Sequence, residues 1–260
     1  MKFAIFVDGP NLKGTLDKLR VKIRDYQAFY RYIGEKAGEV WQECVIGTSP
    51  YSAQLWRVFW YQIGHIDELR LDDPSLEADL RVSFENSPDL TRTFLAVAEK
   101  DHPERDHTEL LDRAWEICFQ EGISWYEQTQ RSLESMKRFN YAVRSTTKFI
   151  EIIESGHWKI DVLRKHISEK GVDTTLTVDF VTQISSYDLA ILMSYDADMI
   201  PAINYAKQQG KHVAVVEFIT RSSAKRQVFR PSTRLKNSAD VVIHINEEEL
   251  VAQDIAAKNP

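Results

Sequence analysis

The chain predicts an α/β protein: a Rossmann-like three-layer sandwich with a mainly parallel sheet, carrying a helical insertion. Three observations predict it. Five apolar runs, at 3–7, 56–61, 189–193, 213–218 and 241–245, are nearly continuous, as suits strands covered on both faces. From Asp173 onward the pattern reads helix, strand, helix, strand, strand, which right-handed crossovers lay into one sheet. Between them, the stretch at 64–150 is charge-rich and strand-poor.

The elements follow in order. FAIFV at 3–7 is the first strand. YQAFYRYIGEK at 26–36 puts Phe29, Tyr30, Ile33 and Lys36 at helical spacing, and 175–184 does so with Leu176, Phe180 and Ile184. The segment 201–209 opens on Pro201 and closes before Gly210, a helix start and stop. The expected organisation is a core at 1–63 and 151–250, an insertion at 64–150 whose interior Trp115, Trp125 and Trp158 fill, and a tail at 251–260. If the first and fourth runs are neighbours, the acids at the strand ends converge.

At 43% apolar and 11% aromatic residues the composition is that of a globular protein, and no run approaches the roughly 20 residues of a membrane span. FAIFV is too short for a secretory signal. Cys44 and Cys118 lie far apart and the seven histidines lack metal-ligand spacing, which excludes a disulfide framework and a zinc site and fits a reducing cytoplasm. A net charge of -6 excludes a generally basic coat, although a local basic surface is compatible with it.

Ligands in open α/β sheets bind beyond the carboxyl ends of the strands. FVDGPN ends the first run with Asp8 and Asn11, and ILMSYDAD ends the third with Asp196 and Asp198. Asp173 sits where a loop enters a helix. Each has a plain structural role open to it: Asp8 in a Gly-Pro turn, the others as helix caps. Gathered together, several carboxylates cannot all stay ionised without a cation, because like charges raise one another's pKa. Oxygen donors with no Cys or His favour Mg²⁺ or Mn²⁺, which activate water and stabilise charge on a phosphodiester. Asp179, six residues along the helix from Asp173, takes a supporting or structural role. An aspartyl-phosphate phosphatase does not fit, since FVDGPN lacks a second Asp two residues after the first.

FVDGPNL at 6–12, KGVDTTLTVDF at 170–180, YDLAILMSYDADMIPAINYAKQQGKHVAVV at 187–216 and SADVVIHI at 238–245 together resemble the NYN domain family, the LabA-like branch of the PIN-like nuclease superfamily. The resemblance implies a PIN-like sandwich with a metal-dependent site at one sheet edge and usually ribonuclease activity. Asp8, Asp173, Asp196 and Asp198 would be catalytic and bind metal, Asn11 would place the metal or the scissile phosphate, and Ser194 would orient an acid. Tyr195 stands where the family often has Gly, and its side chain either narrows the site or stacks on a base. The expected function is a metal-dependent endoribonuclease. A non-catalytic RNA-binding or assembly protein and a structure-specific DNA nuclease are the rivals.

TRSSAKRQVFRPSTRLKNS at 220–238 has six basic residues and no acid. Its Lys225, Arg226 and Arg230 are candidate phosphate contacts, and Phe229 a stacking platform. Lys13 is a weaker candidate. RSLESMKRFNYAVRSTTK at 131–148, with Phe139 and Tyr141 among basic residues, reads either as an extension of this track or as an amphipathic helix on the core. The insertion would otherwise serve a protein partner or a second copy of the chain.

Overall fold

The computed structural model describes residues 1–44, 54–70, 73–220 and 231–259. They form two compact units, one of Met1–Ile63, Phe139–Gly156 and Gly171–Pro260, the other of Gly64–Arg138 and His157–Lys170. The strands are β1 (Lys2–Asp8), β2 (Val21–Ile23), β3 (Gln54–Ile66), β4 (Ile150–Asp161), β5 (His166–Lys170), β6 (Leu189–Met193), β7 (His212–Ile219), β8 (Val241–Asn246) and β9 (Ala256–Lys258). The helices are α1 (Gly9–Leu19), α2 (Tyr26–Cys44), α3 (Pro74–Glu85), α4 (Pro88–Asp101), α5 (His107–Thr146), α6 (Val172–Thr182), α7 (Ile200–Gln208), α8 (Thr233–Ser238) and α9 (Glu247–Ala252).

The fold is the three-layer α/β sandwich that the apolar runs predict. Its sheet has the order β5-β4-β3-β1-β6-β7-β8, with β1 parallel to both β3 and β6, and β6, β7 and β8 parallel in turn. The first run therefore lies between the second and third; the fourth, β7, is one strand further out. Strand order is set by which crossover each helix covers, and run order does not reveal it. From β1 the chain first builds toward β3 and β4 and then returns to lay down β6 on the other side of β1, so the order reverses there.

Two apolar faces make the first unit's core. Ile5 and Val7 point to one face, with Leu12 and Leu16 of α1, Phe29, Tyr30 and Ile33 of α2, and Leu250 of α9, all buried. Phe6 points to the other, its ring 5.1 Å from Phe59, 5.0 Å from Phe180 of α6 and 5.7 Å from Tyr187. Each such fully buried side chain contributes about 1.5–3 kcal/mol.

Helix limits follow local chemistry. Asp8 caps α1 with Pro10 in its first turn, and Gly210 closes α7 at φ 72°, in the left-handed region. The Asp8 cap, accepting from Asn11 N, starts a helix that the Gly-Pro turn reading leaves out. Asp173 is not a cap: the N-cap of α6 is Gly171, and Asp173 lies in the first turn. Asp196 does cap, accepting from Asp198 N, but it caps a short 3-10 turn at Ala197–Met199 that leads into α7.

IEIIES at 150–155, where the charge-rich stretch ends, is strand and opens β4. Ile150 and Ile152 are buried while Glu151 between them is exposed, the period-two pattern of a strand. Arg144 at the end of α5 donates to Ile152 O, and Asn140 donates to Glu154 at 3.2 Å, so this part of α5 packs along β4 as an amphipathic helix with Val143 buried. Residues 256–258, within the segment expected to be a tail, pair as β9 antiparallel to β2.

The second unit holds α3, α4, most of α5 and the antiparallel pair of β5 with the end of β4. Phe84, Phe94, Ala98, Leu110, Ala114, Trp115, Cys118 and Leu163 form its core. Of the three tryptophans expected inside, Trp115 is buried, whereas Trp125 and Trp158 are half-buried. Among the described residues no helix is long and apolar enough to cross a membrane.

Candidate active site

Because β1 and β6 are parallel and in register, with Val7 beside Met193, both chains leave the sheet at the same edge. That edge lies at the switch point between β1 and β6, where open α/β sheets form their crevice. Asp8 closes β1 and is 1% exposed. Asp8 Oδ1 accepts from Asn11 N at 2.9 Å, while Oδ2 accepts from Asn11 Nδ2 and from Ser194 Oγ, the latter at 3.3 Å. Asp196 N in turn donates to Ser194 Oγ at 3.2 Å, and Asp198 N to Asp196 Oδ1 at 2.9 Å. One chain of bonds thus links the first acid to the pair 188 and 190 residues later.

Burial pushes the Asp8 carboxyl above its ordinary value, against the bonds from Asn11 and Ser194, and Asp196 adds to the rise. Asp173, at the surface but partly desolvated by its surroundings, is raised by that desolvation and then by Asp8, Asp196 and Asp198, so the negative fields of all three reach it. Among the described residues no Lys, Arg or His forms an ion pair with any of the four acids. Neither, among the described residues, do three or more acid, His or Cys side chains already stand in an arrangement that could hold a metal ion. Asp173 and Asp198 are exposed. The donor set is all oxygen, with excess negative charge, which is the chemistry a hard divalent cation requires.

The remaining candidates divide. Asn11 and Ser194 both hold Asp8. Asp179 accepts from Tyr61 Oη at 3.0 Å, below the edge, and burial together with this carboxylate pushes the Tyr61 phenol far up. Lys13 lies on the exposed side of α1, 3.4 Å from Asp17 one turn on. Tyr195 packs against the core, and its hydroxyl is 3.2 Å from Thr15 Oγ1 of α1. Burial pushes its phenol up to about 12. Lys225, Arg226, Phe229 and Arg230 lie outside the described residues. Lys236, of the same basic segment, is 3.3 Å from the buried carboxylate of Glu217. Phe139 is 40% exposed but meets Tyr26 and Trp60, and Tyr141 is 73% exposed.

Thr15 and Gln62 belong to this edge and escape the sequence reading. Thr15 is fully buried and also donates to Asn11 O at 2.8 Å; its place one turn after Asn11 was the available signal. Gln62 ends the apolar run of β3 as Asp8 ends that of β1. Gly9 shows how tightly the edge is packed: a Cβ there would lie 2.4 Å from Tyr61 O and 2.7 Å from Gln62 Cδ. Gly9→Ala is expected to cost roughly 1–3 kcal/mol, since a backbone oxygen cannot step aside, and denaturant unfolding measures it.

The sequence profile of the NYN domain matches residues 102–246, more than half of the chain. The chain belongs to the NYN domain family. The matched segment contains Asp173, Ser194, Asp196 and Asp198; β1 with Asp8 lies before it. Membership points to a nuclease-type, hydrolytic function, and the three-layer fold agrees with an NYN or PIN-like domain. A crystal structure of a protein of unknown function from Vibrio parahaemolyticus is similar over 95% of this chain and 94% of that one, at 16% identity and a TM-score of 0.43. A likeness at that level says nothing about the NYN site. No curated protein matches the chain.

Proposed function

We propose that this NYN protein is a metal-dependent endoribonuclease that hydrolyses RNA phosphodiester bonds and leaves 5′-phosphate and 3′-hydroxyl ends. The observation that carries the reading is the gathering of four carboxylates, from three distant segments, at the switch point of the sheet with no described cation to neutralise them. Asp8, Asp173, Asp196 and Asp198 would hold Mg²⁺ or Mn²⁺. A divalent cation bound there supplies charge stabilisation on the phosphoryl oxygens and acidifies water.

The chain's own residues do the positioning. Asn11 and Ser194 fix the rotamer of Asp8, so the innermost acid does not have to be ordered when substrate arrives. Ser194 also ties Asp8 to the backbone of Asp196, which keeps the β1 and β6 acids in a constant relation. Tyr195, held by Thr15 against the core, supports the turn that bears Asp196 and Asp198. The exposed carboxylates of Asp173 and Asp198 can rotate to complete a shell around a cation. No side chain at the edge needs to act as a nucleophile. A reducing cytoplasm suits the chain, whose Cys118 is a buried free thiol.

The test is incubation of the purified protein with end-labelled single-stranded and folded RNA, and with DNA of the same sequences, in Mg²⁺, Mn²⁺ or EDTA. RNA should be cut internally in either metal and remain intact in EDTA. Equal cutting of DNA would assign a DNA nuclease instead, and RNA binding without cutting in any metal would overturn the enzyme reading.

A further inference from the structure

We propose that Gln62 is a specificity-determining residue whose carboxamide binds the ribose 2′-hydroxyl beside the scissile phosphate; this rests on the acid edge being where RNA is held. Gln62 is the first residue past Tyr61, and Tyr61 pairs with Asp8 in the sheet. Its side chain lies over Gly9, the first residue of α1, with Nε2 2.8 Å from the place a Cβ would occupy. The carboxamide therefore lies against the first residue of an 11-residue helix, and that residue directly follows the innermost acid in the chain.

Gln62 is 6% exposed, and its carboxamide has no hydrogen-bond partner among the described residues. An amide withdrawn from water without a partner costs free energy. Among the described residues, the atoms of this kind that are sealed off completely are Tyr30 Oη, Trp60 Nε1, Asn140 Oδ1, Ser155 Oγ and Glu247 Oε2. The Gln62 amide is not sealed in this way, so a molecule at the edge can reach it.

The chemistry of the amide selects the ligand group. A carboxamide has an acceptor and two donors. A phosphate oxygen would use only the donors and leave the carbonyl unpaired. A hydroxyl both accepts and donates, which matches the amide on both sides, and the 2′-hydroxyl is the group that distinguishes RNA from DNA. It also adjoins the scissile phosphate, whereas a base edge lies across the whole sugar from it.

The experiment measures binding of an oligoribonucleotide and of the same oligomer with single 2′-deoxy substitutions, to the full chain in Ca²⁺, for wild type and Gln62→Met. In the wild type one position should be sensitive, its deoxygenation weakening binding by roughly three- to tenfold. In Gln62→Met that sensitivity should vanish while affinity for the deoxy oligomer is unchanged, the pattern of a direct pairwise interaction. A wild type with no sensitive position overturns the proposal, and does so even where the variant fails to fold. Equal weakening of both oligomers by Gln62→Met also overturns it. Cleavage in Mn²⁺ is scored separately: a protein that shows the ribose preference and never cuts keeps this assignment and removes the endoribonuclease, while one that cuts without the preference does the reverse.

Discussion

Asp8→Asn should lower RNA cleavage by at least ~100-fold while the protein stays folded, the scale expected when a preorganised charge at a reacting centre is lost. The asparagine has the same shape and can still accept at Oδ1 from Asn11 N, so the cap of α1 survives in part. What disappears is the negative charge that is most enclosed, at 1% exposure. Burial raises the Asp8 carboxyl, and Asp196 raises it further, which means that the metal-free protein is strained by this charge. The variant is therefore expected to lose activity and stay folded, because relief of the buried charge offsets the loss of the Oδ2 acceptor for Asn11 Nδ2 and Ser194 Oγ. Circular dichroism and urea unfolding, run beside the cleavage assay, check both halves. Full activity in a folded Asp8→Asn protein would remove Asp8 from the site, and with it the proposed role of the β1 edge.

Divalent metal should stabilise the wild type and leave the acid variants largely unmoved. A cation that binds only the folded state at about 100 times its dissociation constant adds about 2.7 kcal/mol, or about 5 °C in Tm for a chain of this length. The pH dependence should invert with it. In chelator the folded state holds the carboxyls of Asp8 and Asp173 above the ordinary 3.8. Over the interval between that value and the raised ones the folded form binds more protons than the unfolded form, so stability falls as pH rises. A saturating cation binds the ionised form and reverses the slope. Fluorimetric melting in a Mn²⁺ titration at several pH values measures both effects, for wild type, Asp8→Asn and Asp173→Asn. An unchanged metal shift in both variants would place the cation elsewhere.

Much of the molecule is local in origin and legible for that reason. An apolar run such as LAILM is a buried strand whatever its neighbours, Pro201 and Gly210 start and stop α7 by their own backbone preferences, and the acids after FV and SY stand at strand ends because the runs end there. The family is legible from the same segments. IEIIES is less legible, since this strand pattern follows a 40-residue amphipathic helix after only three residues and shares its charge density. Thr15 carries a local signal, one helical turn after Asn11, but Gln62 is not legible as a member of the edge, because nothing in WYQ tells which distant segment will lie against it.

By itself, then, the sequence determined the element types, the α/β class, the NYN membership and the carboxylates available for chemistry. Tertiary structure decided what those groups face. It put β1 between β3 and β6, which joins Asp8 to Ser194 across 186 residues. It turned Tyr195 onto Thr15 and the core, drew Lys236 from the basic segment to the buried Glu217, and set Arg144 on the backbone of β4. The reason is physical. Strand and helix formation depend on nearest neighbours and periodicity, whereas the direction and partner of a polar side chain depend on which surfaces are buried together, and that is settled only when the whole core packs.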